Sequence, residues 1–508
     1  MERKEIVFKR LNMTLKLISI SLVVLIVSLF RIQIIDHEKL SAQTDRQSKM
    51  SIGANIVRGD ILDRNGIALT RADEVIYLAI YPKLLEGREG IIDIIKTLTS
   101  IKDTELKEKM GSKPHSFELE IKNPDTYLMN QIVNNIYPGL FTYAVDKRYD
   151  EKSIARHIVG YIQEDGYPMM GIEKNFNQFL DGADTDNISI FKDANNNPIF
   201  GAGYIYDKSS NIYHDVQLTL DYRIQEIVEK ELDSYGGRAG AIVIDIESGD
   251  ILAAASRPNY KQYDISGSME PDCLWAVPFK AFPPGSVFKI IVAAAALEEG
   301  GYVGDDIFYC PGGVNIHGVF YPCHQSIGGL GYLTLKEAFA RSCNDTFINI
   351  AKDLGGNTVV RYAKRFGLGK GLDIGLSNDD GGLPDSQIFA GAGIGNLAIG
   401  QGDVMVTPLQ MADVIATIVN GGVRKPLRLI EKIISSKGDI IEIKQEHEVY
   451  RVLSKKTSDE LVSWLSNAAE HGTGKRAYDE SYGGCGGKTG TPQINYDPKA
   501  NYYGWFVG

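Results

Sequence analysis

The stretch Pro283-Pro284-Gly285-Ser286-Val287-Phe288-Lys289 decides the reading of this chain. It sets a hydroxyl and an amine three residues apart, directly after a turn signal and directly before Ile290-Ile291-Val292-Ala293-Ala294-Ala295-Ala296-Leu297. The apolar run predicts a buried helix entered at the serine. On a helix, positions i and i+3 share one face. A lysine that loses hydration there releases its proton more readily and can then accept the serine's. Ser-x-x-Lys alone is a weak signal, since chance produces it in many long chains. The apolar surroundings strengthen it, because a lysine among them must be paired or functional. The bland alternative for Ser286 is a helix-start cap.

Two more elements follow in order. Ser342-Cys343-Asn344 comes after the helical pattern Leu335-Lys336-Glu337-Ala338-Phe339-Ala340-Arg341, with an ordinary polar turn as the alternative. Lys488-Thr489-Gly490-Thr491 lies between Gly483-Gly484-Cys485-Gly486-Gly487 and the strand-like Tyr502-Tyr503-Gly504-Trp505-Phe506-Val507. A phosphate loop would need glycine at 482, which is tyrosine, and a helix afterwards rather than a strand. Ser-x-x-Lys, Ser-x-Asn and Lys-Thr-Gly in this order resemble the signature set of penicillin-binding proteins and serine β-lactamases.

With 508 residues the chain has room for two or three domains, and its formal charge of −11 argues against nucleic acid as a partner. The N-terminus differs from the rest. Arg3, Lys4, Lys9, Arg10 and Lys16 precede the apolar run Leu17–Phe30, and Ile32–Ile35 extends it if Arg31 snorkels to the interface. No small-x-small cleavage site follows, so an uncleaved anchor is expected rather than a removed signal. The basic flank predicts a cytoplasmic N-terminus and an exported remainder in a bacterial cell membrane. Five cysteines lie in that remainder, so at least one has no intramolecular disulfide partner. Cys310 and Cys323 flank a Gly-rich loop and are expected as a disulfide or as free thiols. His317 and His324 nearby also permit zinc, although the spacing fits no standard finger. No metal and no cofactor are expected, and Cys343 and Cys485 are expected as packing residues.

Arg58-Gly59-Asp60-Ile61-Leu62-Asp63-Arg64-Asn65-Gly66 reads as a strand ending in an Asn-Gly turn. It resembles the first box of the membrane-proximal module of class B penicillin-binding proteins. Arg156–Tyr161 and Gly171–Lys174 look like that module's later boxes, and residues of about 70 to 150 read as a poorly patterned insertion. Val216–Asp221, a helical pattern from Arg223 to Leu232, and a hairpin over Ala241–Ser256 open the next domain, and Ala398-Ile399-Gly400-Gln401-Gly402 resembles a further family landmark. The expected fold is α+β and multi-domain: a basic tail at 1–16, a transmembrane anchor at 17–35, a mixed β-rich dimerisation or pedestal module at 36–215, and a transpeptidase domain at 216–508. That last domain is expected as an antiparallel sheet with flanking helices, lacking its final strand and helix. The missing strand would sit between Trp505–Gly508 and the strand at Ala241. A chain without it is expected to fold poorly, and a soluble 36–508 fragment with one sharp unfolding transition would refute that.

The resemblance implies a serine D,D-transpeptidase acting on peptidoglycan stem peptides ending in D-Ala-D-Ala, and inhibited by β-lactams. Ser286 would be the nucleophile and Lys289 the base. Ser342 would relay a proton, and Asn344 would orient Lys289 and the substrate. Lys488 would hold Ser342 and attract the substrate carboxylate, which Thr489 and Thr491 would bind beside Gly490. The N–H groups of Ser286 and Thr491 would form the oxyanion hole. A membrane glycosyltransferase of cell-wall synthesis is the implied partner. A carboxypeptidase or β-lactamase-like hydrolase, and a non-catalytic sensor or scaffold, are the alternatives. The membrane-proximal module argues against the first, and the complete set of motifs against the second.

Overall fold

The basic and apolar residues of the N-terminus form one helix, Glu2–Phe30, in the computed structural model, followed by a π-helical turn Arg31–Ile35. Its Met13–Phe30 stretch is apolar and long enough to cross a membrane, and its side chains are exposed. The structure describes residues 2–508 apart from 36–48, 71–73, 86–88, 113–116, 135, 138, 164–165, 192–203, 208–212, 266–271, 324–327, 386–388, 390, 442–447 and 494–502. His324 and Tyr502, both singled out above, therefore lie outside the described residues.

The chain folds into two compact units that interleave in sequence. Met1–Val57, Asp73–Lys147 and Ala183–Asn211 make one; Arg58–Ala72, Arg148–Gly182 and Ile212–Gly508 make the other. In the first unit, Glu74–Ile80 is the central strand between Phe117–Glu120 and Leu140–Asp146, antiparallel to both. Helix Glu89–Thr99 buries Ile91, Ile95 and Leu98, spaced four and three residues apart on one stripe. So the segment expected to be poorly patterned is a small sheet with its own apolar core. Its strands are short and its helix signal spans barely three turns, which is why the periodicity is faint in sequence.

In the second unit, Ile61–Leu62 pairs in parallel with His214–Leu218, which pairs antiparallel with Ile430–Ser435. The first box is thus built into the sheet that opens the C-terminal segment. Glu173, fully buried, holds it there. Arg58 Nε donates to Glu173 Oε2 at 2.6 Å, Arg58 Nη2 to the Glu173 carbonyl at 2.7 Å, and Arg148 Nε to Glu173 Oε1 at 2.5 Å. Tyr149 adds its hydroxyl at 2.5 Å. Burial works against this carboxylate, but Arg148 and Arg58 outweigh it and hold its pKa below the ordinary value of 4.5.

Helix Lys289–Glu299 is the centre of the larger core, and all its residues from Lys289 to Ala296 are buried. It packs against helices Asn344–Leu354, Gly356–Arg365 and Lys455–Glu470. Each of Ile290, Ile291 and Val292 contributes about 1.5–3 kcal/mol by leaving water. The expected hairpin is present, Ala239–Ile244 against Ile251–Arg257, and so is the antiparallel pair Lys488–Gly490 with Trp505–Val507. Among the described residues these two pairs form separate two-stranded sheets rather than one.

Candidate active site

Ser286 does not enter an α-helix directly. Gly285–Phe288 is a 3₁₀ turn, and the α-helix begins at Lys289. In a 3₁₀ turn, residues three apart eclipse each other, which aligns Ser286 with Lys289 more closely than an α-helix would. Pro284 takes the cap position with no side-chain cap bond, so Ser286 is not consumed as a cap. It is half-buried, while Lys289 is fully buried.

Ser342 and Asn344 meet Lys289 because a short helix ends just before them. Thr334 and Glu337 form a capping box that starts helix Leu335–Ala340. The chain then turns at Ser342, whose φ of +59° lies in the left-handed region that non-glycine residues rarely occupy. Cys343 caps the next helix, Asn344–Leu354. The turn aims three acceptors at one amine. Lys289 Nζ donates to the Ser342 carbonyl at 2.7 Å, to Ser342 Oγ at 3.1 Å and to Asn344 Oδ1 at 2.7 Å. Asn344 Nδ2 is anchored in turn on the Pro322 carbonyl at 2.7 Å.

Burial pushes the Lys289 amine down to about 8. Lys488 is also buried. Desolvation first, and then the charge of Lys289, hold it well below the ordinary lysine value. Two aromatic rings temper these charges. Lys289 Nζ lies 5.8 Å from the centre of Phe347, Lys488 Nζ lies 5.9 Å from that of Phe339, and the two rings are 6.0 Å apart. Neither phenylalanine was expected at the site.

The third motif lies against the serine turn. Strand Lys488–Gly490 and the 3₁₀ turn are in contact, and Trp505 Nε1 donates to the Pro283 carbonyl at 2.9 Å. A Cβ on Gly490 would come within 2.5 Å of the Pro284 carbonyl, and one on Gly487 within 2.5 Å of the Phe506 ring. These glycines let the strand pack. Gly400 of the Gly-Gln-Gly landmark closes the other side: its carbonyl accepts from Gly285 N at 2.9 Å, and a Cβ there would sit 2.3 Å from the Gly285 carbonyl.

Lys488 and Thr489 also make contacts that were not expected. Lys488 Nζ donates to the Thr489 carbonyl at 3.1 Å and has no hydrogen bond to Ser342. Thr489 Oγ1 is 2.6 Å from Thr473 Oγ1, so its hydroxyl has a protein partner. Thr473, between Gly472 and Gly474, carries no local signal that would have found it. Thr491 is exposed just past the strand.

Family models match most of this architecture. Residues 239–508 match the penicillin binding protein transpeptidase domain, and residues 54–199 the penicillin-binding protein dimerisation domain. The chain belongs to the class B penicillin-binding proteins. This penicillin-binding protein is 28% identical over 514 residues to penicillin-binding protein PbpB of Mycolicibacterium smegmatis, covering 93% of this chain and 78% of that one. It is 27% identical over 414 residues to peptidoglycan D,D-transpeptidase FtsI of Escherichia coli K12, covering 78% of this chain and 68% of that one. The fold is also that of penicillin binding protein 3 from Mycobacterium tuberculosis, solved in complex with aztreonam, with a TM-score of 0.62 at 23% identity over 89% of this chain and 86% of that one. The enzyme is accordingly a serine D,D-transpeptidase.

Proposed function

We propose that this enzyme cross-links peptidoglycan stem peptides through an acyl-enzyme on Ser286. The observation that carries the assignment is the buried Lys289 amine, one turn from Ser286 and gripped by Ser342 and Asn344. Ser286 Oγ attacks the penultimate D-alanine carbonyl and its proton passes to neutral Lys289. The N–H groups of Ser286 and Thr491 hold the oxyanion; losing one such donor costs about 100- to 1000-fold in rate. As the C–N bond breaks, Ser342 Oγ hands its proton to the departing D-alanine amine and takes up the one Lys289 holds, across their 3.1 Å contact, which leaves Lys289 neutral again. An amine of a second stem peptide then attacks the ester and restores the serine. Lys488, at the head of strand Lys488–Gly490, carries positive charge once the substrate carboxylate arrives beside Thr489 and Thr491, because an anion there offsets the burial and the Lys289 charge that hold its pKa down.

The domain reading follows the same logic: an anchor at 17–35 with a cytoplasmic basic tail, a dimerisation or pedestal module at 36–215 and the transpeptidase domain at 216–508 outside the membrane. The basic flank of the N-terminal helix supports that orientation. A membrane glycosyltransferase would supply the glycan strands whose peptides this site joins.

The test is labelling by a fluorescent penicillin together with cross-linking of a synthetic stem peptide. The full chain in detergent should be labelled, and Ser286→Ala should not. Equal labelling of Ser286→Ala would sink the assignment. Release of D-alanine without cross-linked product, in the presence of an acceptor amine, would redirect it to a carboxypeptidase.

A further inference from the structure

Three of the five cysteines, far apart in sequence, converge beneath the second motif. Cys310 ends strand Ile307–Cys310, Cys323 follows strand Val319–Pro322, and Cys343 caps helix Asn344–Leu354. All three are buried free thiols. Their sulfurs lie within 4.8 Å of one another, with Cys310 and Cys323 at 3.5 Å and Cys323 and Cys343 at 3.8 Å. Thiolates bound at about 2.3 Å around a tetrahedral ion stand about 3.8 Å apart, so the separations already suit coordination.

A second feature places hydrogen-bond donors around two of the sulfurs. The Asp345 N–H donates to Cys323 Sγ at 3.4 Å, the Thr346 N–H to Cys343 Sγ at 3.5 Å and the Thr346 hydroxyl to the same sulfur at 3.2 Å. The two N–H groups belong to the first turn of an 11-residue helix, where its dipole favours negative charge.

We propose that Cys310, Cys323 and Cys343 form a binding site for one thiophilic d10 cation, Zn(II) or Cu(I). Binding drives three thiol protons into solvent and makes three metal–sulfur bonds, with no change of oxidation state. Cu(I) is satisfied by three thiolates, whereas Zn(II) adds a water. The ion staples two strands to the start of the helix whose first residues hold Asn344 and border Ser342. Its role is to position, and the site does not depend on the roles given to Ser286 and Lys289.

The test uses the full chain in detergent, reduced without oxygen and freed of metal. Cobalt(II) should add in one equivalent with a thiolate charge-transfer band in the near ultraviolet, and zinc should displace it. Cys310→Ser, Cys323→Ser and Cys343→Ser should each abolish the band, while Cys273→Ser and Cys485→Ser keep it. Cu(I) uptake against a competing chelator, without a cobalt band, would assign the monovalent ion instead. If a serine variant misfolds, the unaltered chain still decides: zinc or Cu(I) should protect three thiols from alkylation, and peptide mapping should place them at these positions. No uptake of either ion, protection elsewhere, or a disulfide among the three that persists in the isolated protein and blocks uptake would overturn the proposal.

Discussion

At the scale of single residues, the site turns on the protonation of one amine. Burial places Lys289 at about 8, against an ordinary 10.5, so at neutral pH roughly a tenth of it is free base. Only the free amine accepts the Ser286 proton. Acylation by a penicillin should therefore rise with pH and level off above about 8, falling roughly tenfold per unit below. Stopped-flow acylation rates across pH check this; a flat profile would remove Lys289 as the base. The titratable groups around it are Lys488, Cys323 and Cys343, and the two cysteines act against the shift. Glu173 shows the opposite case. Its folded pKa is lowered, so its contribution to stability is complete above pH 4.5 and is lost as pH falls through the folded value. Glu173→Ala should cost about 3–5 kcal/mol, because it strands the buried Arg58 guanidinium and the half-buried Arg148 beside it, and thermal denaturation measures it.

At the scale of elements, catalysis depends on how closely three backbone pieces approach. The 3₁₀ turn at Gly285–Phe288, the strand Lys488–Gly490 and the Gly400 loop touch main chain to main chain. Gly490→Ala inserts a methyl 2.5 Å from a carbonyl oxygen that cannot swing away, so the strand must shift. Displacements of about 1 Å in an active site cost on the order of 100-fold. The expected outcome is a loss of that order in the second-order acylation rate by penicillin, with the far-ultraviolet circular dichroism unchanged. Wild-type acylation in Gly490→Ala would show that the contact is slack.

At the scale of the whole chain, sequence neighbours are not packing neighbours. The Arg58 and Gly171 boxes belong to the same compact unit as the transpeptidase motifs, while the segment between them, Asp73–Lys147, builds a sheet and core of its own. The anchor sets the remaining prediction. In right-side-out vesicles, added protease should digest the chain beyond about residue 36 and spare a tag at Met1; the reverse pattern would invert the proposed topology.

The local signals were read directly from sequence: the apolar N-terminal helix, the hairpin over Ala241–Ser256, the amphipathic helices and the three motifs in their order. Each depends on periodicity, turn chemistry or spacing within a dozen residues. The convergence of Ser286, Ser342, Asn344 and Lys488 was legible only through resemblance, since nothing local ties positions 200 residues apart. Tertiary structure alone decided the rest. It brought Thr473 to Thr489, bonded Lys488 Nζ to the Thr489 carbonyl, set two phenylalanine faces beneath two buried lysines and gathered three cysteines. Those outcomes follow from which apolar faces pack against which, and that choice is settled by the summed burial of the whole core, so no single segment carries it.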